Sequence, residues 1–266
     1  MTESNDNNNL SIKRQSLLGY PIDLTNENLS IMRFRQAQAN SLGLHIVTIN
    51  AEMIITAMKD PNLDRIIRHA DLIIPDGASI ILALKLYGLN IQRLPGIELA
   101  YKLIEICADS GLEIALIGAK PEILSTCKQN LLNTYPQLKI IAAQHGYFQS
   151  SEESDIVKQI AALKPKLILI ALGVPRQEFF IDNWQKDFPH STLIGVGGSF
   201  DVWANSVKRA PKIFCDFHLE WFYRLLKEPW RYKRMMQSLP LFVWLIAKEY
   251  LTLKKSSKIE NLRGKH

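Results

Sequence analysis

The sequence predicts an α/β fold in which a mostly parallel sheet carries helices on both faces, followed by a basic helical C-terminal segment. Six short apolar runs rich in β-branched residues recur along the chain, and stretches with helical periodicity separate most of them. The runs are apolar almost throughout, which is typical of strands covered on both faces in a parallel sheet. The predicted strands are residues 45–50, 71–76, 113–118, 138–144, 166–173 and 191–198.

Helical patterns fill most of the intervals between these strands. They cover residues 51–70, 77–88, 95–111, 121–135, 150–164 and 176–188. Because strands and helices alternate along the chain, we expect three layers with the sheet in the middle. An earlier apolar piece, residues 17–24, is expected to add an edge strand.

Composition and charge divide the chain into three parts. Residues 1–16 are polar, lack the apolar core of a signal peptide and are expected to form a disordered tail. Residues 17–206 contain the predicted α/β domain and hold a slight excess of acidic side chains. Residues 207–266 carry 14 Lys or Arg against 5 Asp or Glu. Such a basic helical appendage seeks phosphate, whether on nucleic acid, on a lipid head group or on a small ligand.

Two features predict the cellular compartment. The three cysteines are odd in number and not closely paired, which argues against a disulfide framework and for a reducing environment. The longest apolar run of the appendage, residues 239–253, is interrupted by Lys248 and Glu249 and is shorter than the roughly 20 residues that span a bilayer. It suits a helix that lies on a membrane surface, or one that packs on the body of the protein.

Asp76 is the sharpest candidate for a catalytic residue. In open parallel sheets, ligands bind beyond the carboxyl ends of the strands, and Asp76 follows a predicted strand directly, between Pro75 and Gly77. A carboxylate at such a turn can act as a general base that takes a proton from a hydroxyl nucleophile. The alternative is that Asp76 caps the helix that starts near Gly77, because Asp is a favoured N-cap residue.

Glycines mark two further strand ends as candidate binding positions. Gly118 opens a turn before a helix, where backbone N–H groups can approach a phosphate, although plain turn chemistry also explains a glycine. The stretch GVGGSFD, residues 195–201, holds Gly197, Gly198 and Asp201, and so many glycines at a strand end indicate a closely approaching ligand or backbone.

Several sequence signatures are absent. The chain has no G-x-G-x-x-G after its first predicted strand, no Walker A motif and no G-x-S-x-G elbow. It has no H-E-x-x-H, no clustered Cys/His set and no Asp-x-Asp pair of the kind that holds a metal on a nucleoside diphosphate. We therefore predict neither a cofactor nor a metal site.

Nine short motifs together carry a family resemblance. They are TINAE (48–52), PDG (75–77), RLPG (93–96), IGAKPE (117–122), GYF (146–148), ALGVPRQE (171–178), GVGGSFD (195–201), KRAP (208–211) and EWFYRLLKEPWRYKR (220–234). Over about residues 15–245 the chain resembles the WecG/TagA/CpsF family of bacterial glycosyltransferases. Each motif alone is weak, but nine in order make the resemblance specific.

The resemblance implies a fold, a reaction and partners. The fold is Rossmann-like, and residues 17–206 are then the catalytic domain. The expected reaction is an inverting, metal-independent transfer of a hexose or N-acetylhexosamine, of the N-acetylmannosamine type, from a UDP-sugar. The expected acceptor is a polyprenyl-diphosphate-linked sugar used for cell-surface polysaccharide or teichoic acid. The resemblance places the enzyme in the cytoplasm, peripherally on the inner face of the membrane.

The resemblance also implies roles for individual residues. Asp76, in PDG, is then the base, and Thr48 and Asn50 lie near the sugar. Arg93 and Gln177 match the family's R-x-x-G arginine and P-[KR]-Q-E glutamine. The C-terminal arginines Arg224, Arg231 and Arg234 match those of an appendage that closes over the site, and their planar forks suit a diphosphate. One departure is Asn205, where the family pattern usually has glycine.

Two other functions fit parts of the sequence. One is an NAD(P)-dependent oxidoreductase, which suits the fold class but not the missing dinucleotide fingerprint. The other is a basic module without catalysis that binds membranes or nucleic acid. Because the aromatic residues of the appendage suit fixing it to the body and to a membrane edge, we expect no nucleic-acid partner; a homo-oligomer remains open.

Overall fold

The computed structural model describes residues 12–207 and 231–263, with side-chain positions in the second range for residues 236–254. Its main sheet has six parallel strands in the order β4–β3–β8–β7–β5–β6. These strands are β3 (Leu44–Ile49), β4 (Leu72–Pro75), β5 (Glu113–Gly118), β6 (Lys139–Gln144), β7 (Leu167–Ala171) and β8 (Thr192–Gly195). The α/β fold with a parallel sheet is confirmed, and each of the six strands lies within its predicted segment or one residue outside it.

Ten helices occupy the described residues. They are α1 (Glu27–Ala39), α2 (Ala51–Ala57), α3 (Pro61–His69), α4 (Ala78–Leu86), α5 (Gly96–Asp109), α6 (Pro121–Thr134), α7 (Ser150–Ala162), α8 (Arg176–Trp184), α9 (Ser199–Trp203) and, after the undescribed residues, α10 (Arg231–Arg263). The helix predicted over residues 51–70 is two helices, because Pro61 starts α3 as its first residue and Asp60 caps it.

The edge strand predicted over residues 17–24 was wrong. The segment contributes to a separate antiparallel hairpin of β1 (Arg14–Leu17) and β2 (Tyr20–Asp23). Leu18 and Gly19 form its two-residue turn, and both have positive φ, as such hairpin turns require. The Asp23 carboxylate accepts a hydrogen bond of 2.7 Å from the backbone N–H of Ile73, so a side chain engages the outer edge of β4.

Alternate strand residues supply the cores on the two faces of the sheet. Ile46 packs in a cluster with α1, α5, α6 and α9, whereas its neighbour Val47 packs in a cluster with α2, α3, α4 and α10. Further along the sheet, Ile168 joins a third cluster with α7 and α8. Strands β3, β4, β5, β7 and β8 are thus buried on both faces, which explains their largely apolar sequences, whereas the edge strand β6 has no buried residue.

Helix α10 packs on the body and leaves its other face exposed. Phe242 and Ile246 are buried in the same cluster as α2 and α4. Glu249 accepts hydrogen bonds from the Tyr87 hydroxyl, at 2.6 Å, and from the backbone N–H of Leu18, at 3.3 Å. One face of the run 239–253 therefore packs on the body, as one alternative predicted, while membrane binding by its other face and the division of the chain at residue 207 stay predictions.

Candidate active site

Asp76 lies at the carboxyl edge of the sheet in a fixed orientation. Its Oδ1 accepts a hydrogen bond of 3.2 Å from the backbone N–H of Gly96, the first residue of α5. The Arg93 guanidinium donates from Nε to the backbone carbonyl of Asp76, at 2.7 Å, and its second terminal nitrogen lies 3.8 Å from Oδ1. The side chain of Asp76 remains 29% exposed, so ligands can reach the carboxylate. Arg93 thus positions the loop and also balances the negative charge of the Asp76 carboxylate.

The helix-cap alternative for Asp76 is wrong. Helix α4 begins at Ala78, its N-cap is Gly77, and no side chain caps it. The backbone N–H groups of Asp76 and Gly77 both point to the carbonyl of Ile49, which ties this turn to the end of β3. The Asp76 carboxylate is therefore directed to α5 rather than to the helix that follows it.

Thr48 and Asn50 lie at the end of the neighbouring strand. The Thr48 hydroxyl donates to the carbonyl of Gly195 on β8, at 3.4 Å, and its methyl group packs against Gly96. A Cβ added to Gly96 would lie 2.7 Å from that methyl carbon, so only glycine fits. Asn50 caps α2 through Oδ1, which accepts from the N–H of Met53 at 2.9 Å. Both predicted residues therefore sit beside Asp76 and also have structural partners.

Gln177 is almost completely buried beneath the glycine-rich loop. Its Oε1 accepts from the backbone N–H of Gly197, and its Nε2 donates to Glu178 Oε1, each at 3.1 Å. A Cβ added to Gly195 would lie 2.3 Å from Gln177 Nε2, which explains why position 195 holds a glycine. The predicted binding residue thus supports the loop of residues 195–198, and its direct role toward a sugar stays a prediction.

Gly118 belongs to a different part of the edge. It has a φ of +129°, and a Cβ there would lie 2.4 Å from the carbonyl oxygen of Ala171 on β7. Close backbone packing at this turn therefore accounts for the glycine. The phosphate role predicted for Gly118 remains a prediction.

Gly198 and Asp201 surround the start of α9. Gly198 is its N-cap, without a side-chain cap, and Asp201 lies in its first turn. The backbone carbonyl of Asp201 accepts from the Ser206 hydroxyl at 2.8 Å, and burial together with the charge of Asp201 raises the pKa of the Cys127 thiol. Asp201 thus lies near helix α6.

Asn205 stands where the family pattern usually has glycine, and it still forms the turn after α9. It has a φ of +57°, in the left-handed region. Glycine adopts this region most readily, and asparagine tolerates it better than most residues with a side chain. Its N–H donates to the carbonyl of Val202, which closes the turn after α9.

The three predicted diphosphate arginines cannot be placed in this site. Arg224 lies outside the described residues, and Arg231 and Arg234 belong to the first turn of α10, where the backbone alone is described. Arg176, by contrast, donates to the carbonyl of Gly146 at 2.7 Å and lies over the Phe148 ring. That arginine holds the loop after β6.

Helix N-termini add positive potential to this edge. Helices α4, α6 and α8 each follow a strand end there, and none has a side-chain cap. An uncapped helix N-terminus offers N–H groups and the positive end of the helix dipole, which favour anions such as phosphate. Helices α1 and α3, in contrast, are capped by Asn26 and Asp60.

The sequence interpretation missed Gly96 and Glu178. Gly96 stands in the RLPG motif, but only the strand order brings it to Asp76. Glu178 is 1% exposed, and burial raises its pKa to about 8. A signal existed for Glu178, because it lies three residues before the buried Ile181, on the same face of α8.

A cavity of about 880 Å³ borders the edge between α5, α6 and α9. Its lining is both aromatic and polar and includes Glu98, Tyr101, Lys102, Asn130, Trp203 and Asn205. The rings of Tyr101 and Trp203 lie 6.0 Å apart.

Within the described ranges, no three His, Cys, Asp or Glu side chains are grouped so that they could hold a metal ion. No helix in the same part of the chain has the length and hydropathy that a bilayer crossing requires. Metal independence stays a prediction.

Comparison with known proteins assigns the family. Residues 15–256 match the model of the glycosyl transferase WecG/TagA/CpsF family. A Bacillus spizizenii protein named N-acetylglucosaminyldiphosphoundecaprenol N-acetyl-beta-D-mannosaminyltransferase is 36% identical over 207 residues, 77% of this chain and 79% of the relative. A Bacillus subtilis protein of the same name is 36% identical over 209 residues, 78% of this chain and 80% of the relative. The chain therefore belongs to the WecG/TagA/CpsF family and is a glycosyltransferase.

Proposed function

We propose that this glycosyltransferase moves N-acetylmannosamine from a UDP-sugar to N-acetylglucosaminyl-diphospho-undecaprenol, with inversion and without a metal ion. The names of the two Bacillus relatives support the transferred sugar and the acceptor. The observation that carries the proposal is Asp76, a partly exposed carboxylate held at the carboxyl edge of the sheet by Gly96 and Arg93. The family assignment disfavours both an oxidoreductase and a module without catalysis.

In the proposed reaction a hydroxyl oxygen of the acceptor attacks the anomeric carbon on the face opposite to UDP. The bond from that carbon to the diphosphate breaks, and its electron pair leaves with UDP. Asp76 takes the hydroxyl proton as the new bond forms. Because the Gly96 N–H and the Arg93 guanidinium engage Oδ1, the carboxylate need not reorient during the reaction.

Negative charge grows on the departing diphosphate, and something cationic or dipolar must stabilise it. The uncapped N-termini of α6 and α8 lie at the carboxyl edge of the sheet, which suits them to this role. Arg224, Arg231 and Arg234 are proposed to add bidentate contacts when the appendage closes over the site.

The exposed face of α10 supports a membrane-bound acceptor. Met236, Val243, Trp244 and Leu251 are each more than half exposed on a helix that is apolar on both faces. Lys248 lies over the Trp244 ring, so a positive charge accompanies this apolar surface. A helix with aromatic and basic residues on its free face suits the surface of an anionic bilayer. We propose that α10 rests on the inner face of the cytoplasmic membrane, where the lipid-linked acceptor is found.

A donor screen tests the proposal. Purified full-length protein is incubated with a panel of UDP-sugars and a synthetic lipid-diphosphate-N-acetylglucosamine, with and without EDTA, and UDP release is measured. We expect release that requires the acceptor, is greatest with UDP-N-acetylmannosamine and survives EDTA. Release that is independent of the acceptor, or absent with every donor, would overturn the function, and loss of release in EDTA would overturn metal independence alone.

A further inference from the structure

We propose that Glu178 is a positioning residue that, as an uncharged carboxylic acid, holds the Gln177 amide beneath the loop of residues 195–198 and so fixes that loop for catalysis. The proposal goes beyond the function above by giving a role to a buried group that the mechanism does not use. Only the turnover measurements below depend on the proposed glycosyl transfer at this edge of the sheet.

The contacts of the pair carry the proposal. Glu178 Oε1 accepts from Gln177 Nε2 at 3.1 Å, which leaves Gln177 Oε1 to accept from the Gly197 N–H, also at 3.1 Å. An amide can present its oxygen and its nitrogen in only two ways, so the acceptor on Glu178 decides which end of Gln177 meets the loop. With the amide reversed, two N–H groups would face one another at Gly197.

The fit at Gly195 shows how closely the pair supports the loop. A Cβ added to Gly195 would lie 2.3 Å from Gln177 Nε2 and 3.1 Å from Glu178 Oε1. The carbonyl of Gly195 accepts from the Thr48 hydroxyl at 3.4 Å, so the pair lies directly behind the residues that border Asp76. A shift of either side chain would therefore move the loop at the centre of the site.

Burial favours the uncharged form of Glu178. The side chain is 1% exposed, and Oε2 is buried without a hydrogen-bond partner among the described residues. An ionised carboxylate with a bare buried oxygen is very costly, whereas the neutral acid costs much less. Burial raises the pKa of Glu178 to about 8, while the Gln177 amide and the backbone N–H of Glu178 oppose that rise.

Other ionisable groups packed against α8 do not replace Glu178 in this role. Arg65 of α3 is paired with Asp182, one helical turn further along α8. His45 of β3 is buried, and burial lowers its pKa to about 4, so its imidazole is uncharged from about pH 5 upward. Lys186 and Asp187, in the turn after α8, are exposed. None of these is among the causes of the pKa shift of Glu178.

The test follows the Gly197 amide and turnover together as the pH is raised. In the wild-type protein we expect the ¹H–¹⁵N signal of Gly197 to titrate near pH 8, because ionisation of Glu178 changes the charge beside the Gln177 amide that meets Gly197. Glu178→Gln keeps an acceptor for Gln177 but cannot ionise, so its Gly197 signal should not titrate there, and its transfer should stay near wild type at pH 7. Glu178→Ala removes the acceptor and should lower transfer about tenfold or more at every pH.

Glu105→Gln on α5 is the matched control and should behave as the wild type in both measurements. A Gly197 titration that persists in Glu178→Gln, or a folded Glu178→Ala variant with wild-type turnover, would overturn the proposal. The amide titration needs no substrate, so it reports on Glu178 even if the UDP-sugar function itself fails.

Discussion

The Asp76 carboxylate and the backbone N–H of Gly96 are joined by a hydrogen bond of 3.2 Å, although twenty residues separate them. Gly96 also packs against the Thr48 methyl group too closely to admit a Cβ. One glycine thus connects the candidate base, directly after β4, to the end of β3 and to the start of α5. The same contact fixes the carboxylate and leaves it 29% exposed.

Replacing Asp76 with Asn tests the role of the carboxylate. Asn keeps an oxygen that can accept from Gly96 but cannot take a proton, so we expect turnover to fall by about 10²–10⁴ while UDP binding stays nearly unchanged. Steady-state UDP release and calorimetric UDP titration measure the two quantities. Asp109→Asn, on the exposed end of α5, is the control. Turnover like that of the wild type in Asp76→Asn would exclude Asp76 as the base.

Replacing Gly118 with Ala tests the packing at the end of β5. The new Cβ would overlap the Ala171 carbonyl at 2.4 Å in a backbone with positive φ, so we expect a loss of about 2–4 kcal/mol in the free energy of unfolding. Gly88→Ala is the control, because Gly88 also has positive φ but no atom within 4 Å of the added Cβ, and it should cost about 1 kcal/mol. Urea denaturation measures both, and equal costs would contradict the packing explanation.

Glu178→Gln should stabilise the protein increasingly as the pH rises. The folded pKa of Glu178 is raised to about 8 from an ordinary value of 4.5. Between these values the unfolded chain is ionised and the folded protein is protonated, so folding takes up a proton and wild-type stability falls as the pH rises. Gln has no such dependence, and the variant should be more stable by about 4 kcal/mol at pH 8.

Urea denaturation of the two proteins from pH 5 to pH 9 measures this difference. It should grow up to about pH 8 and then level off. Glu105→Gln again serves as the control. A difference that is constant with pH would show that Glu178 ionises normally in the folded protein.

The two faces of α10 should respond differently to substitution. Phe242 is 1% exposed, so Phe242→Ala should cost about 3–5 kcal/mol in the free energy of unfolding. Trp244 is 57% exposed, so Trp244→Ser should change stability by less than about 0.5 kcal/mol but should weaken binding to anionic vesicles. Denaturation and vesicle flotation measure the two effects. Unchanged flotation of Trp244→Ser would remove the outer face of α10 as the membrane contact.

Five of the six strands of the main sheet were predictable because they are buried on both faces and are therefore largely apolar, as residues 167–171 show. The hairpin was mistaken for an edge strand because its apolar pattern continues across Leu18 and Gly19. Only their positive φ values turn the chain back at that point.

By itself, the sequence determined the alternation of strands and helices, the position of Asp76 at a strand end and the family. Local patterns are enough for these, since they depend on neighbouring residues. The tertiary structure alone decided that Asp76 meets Gly96, that Gln177 supports Gly197 and that Glu178 is buried behind them. Those contacts depend on the order β4–β3–β8–β7, which places distant strand ends side by side, and no spacing along the chain reveals that order.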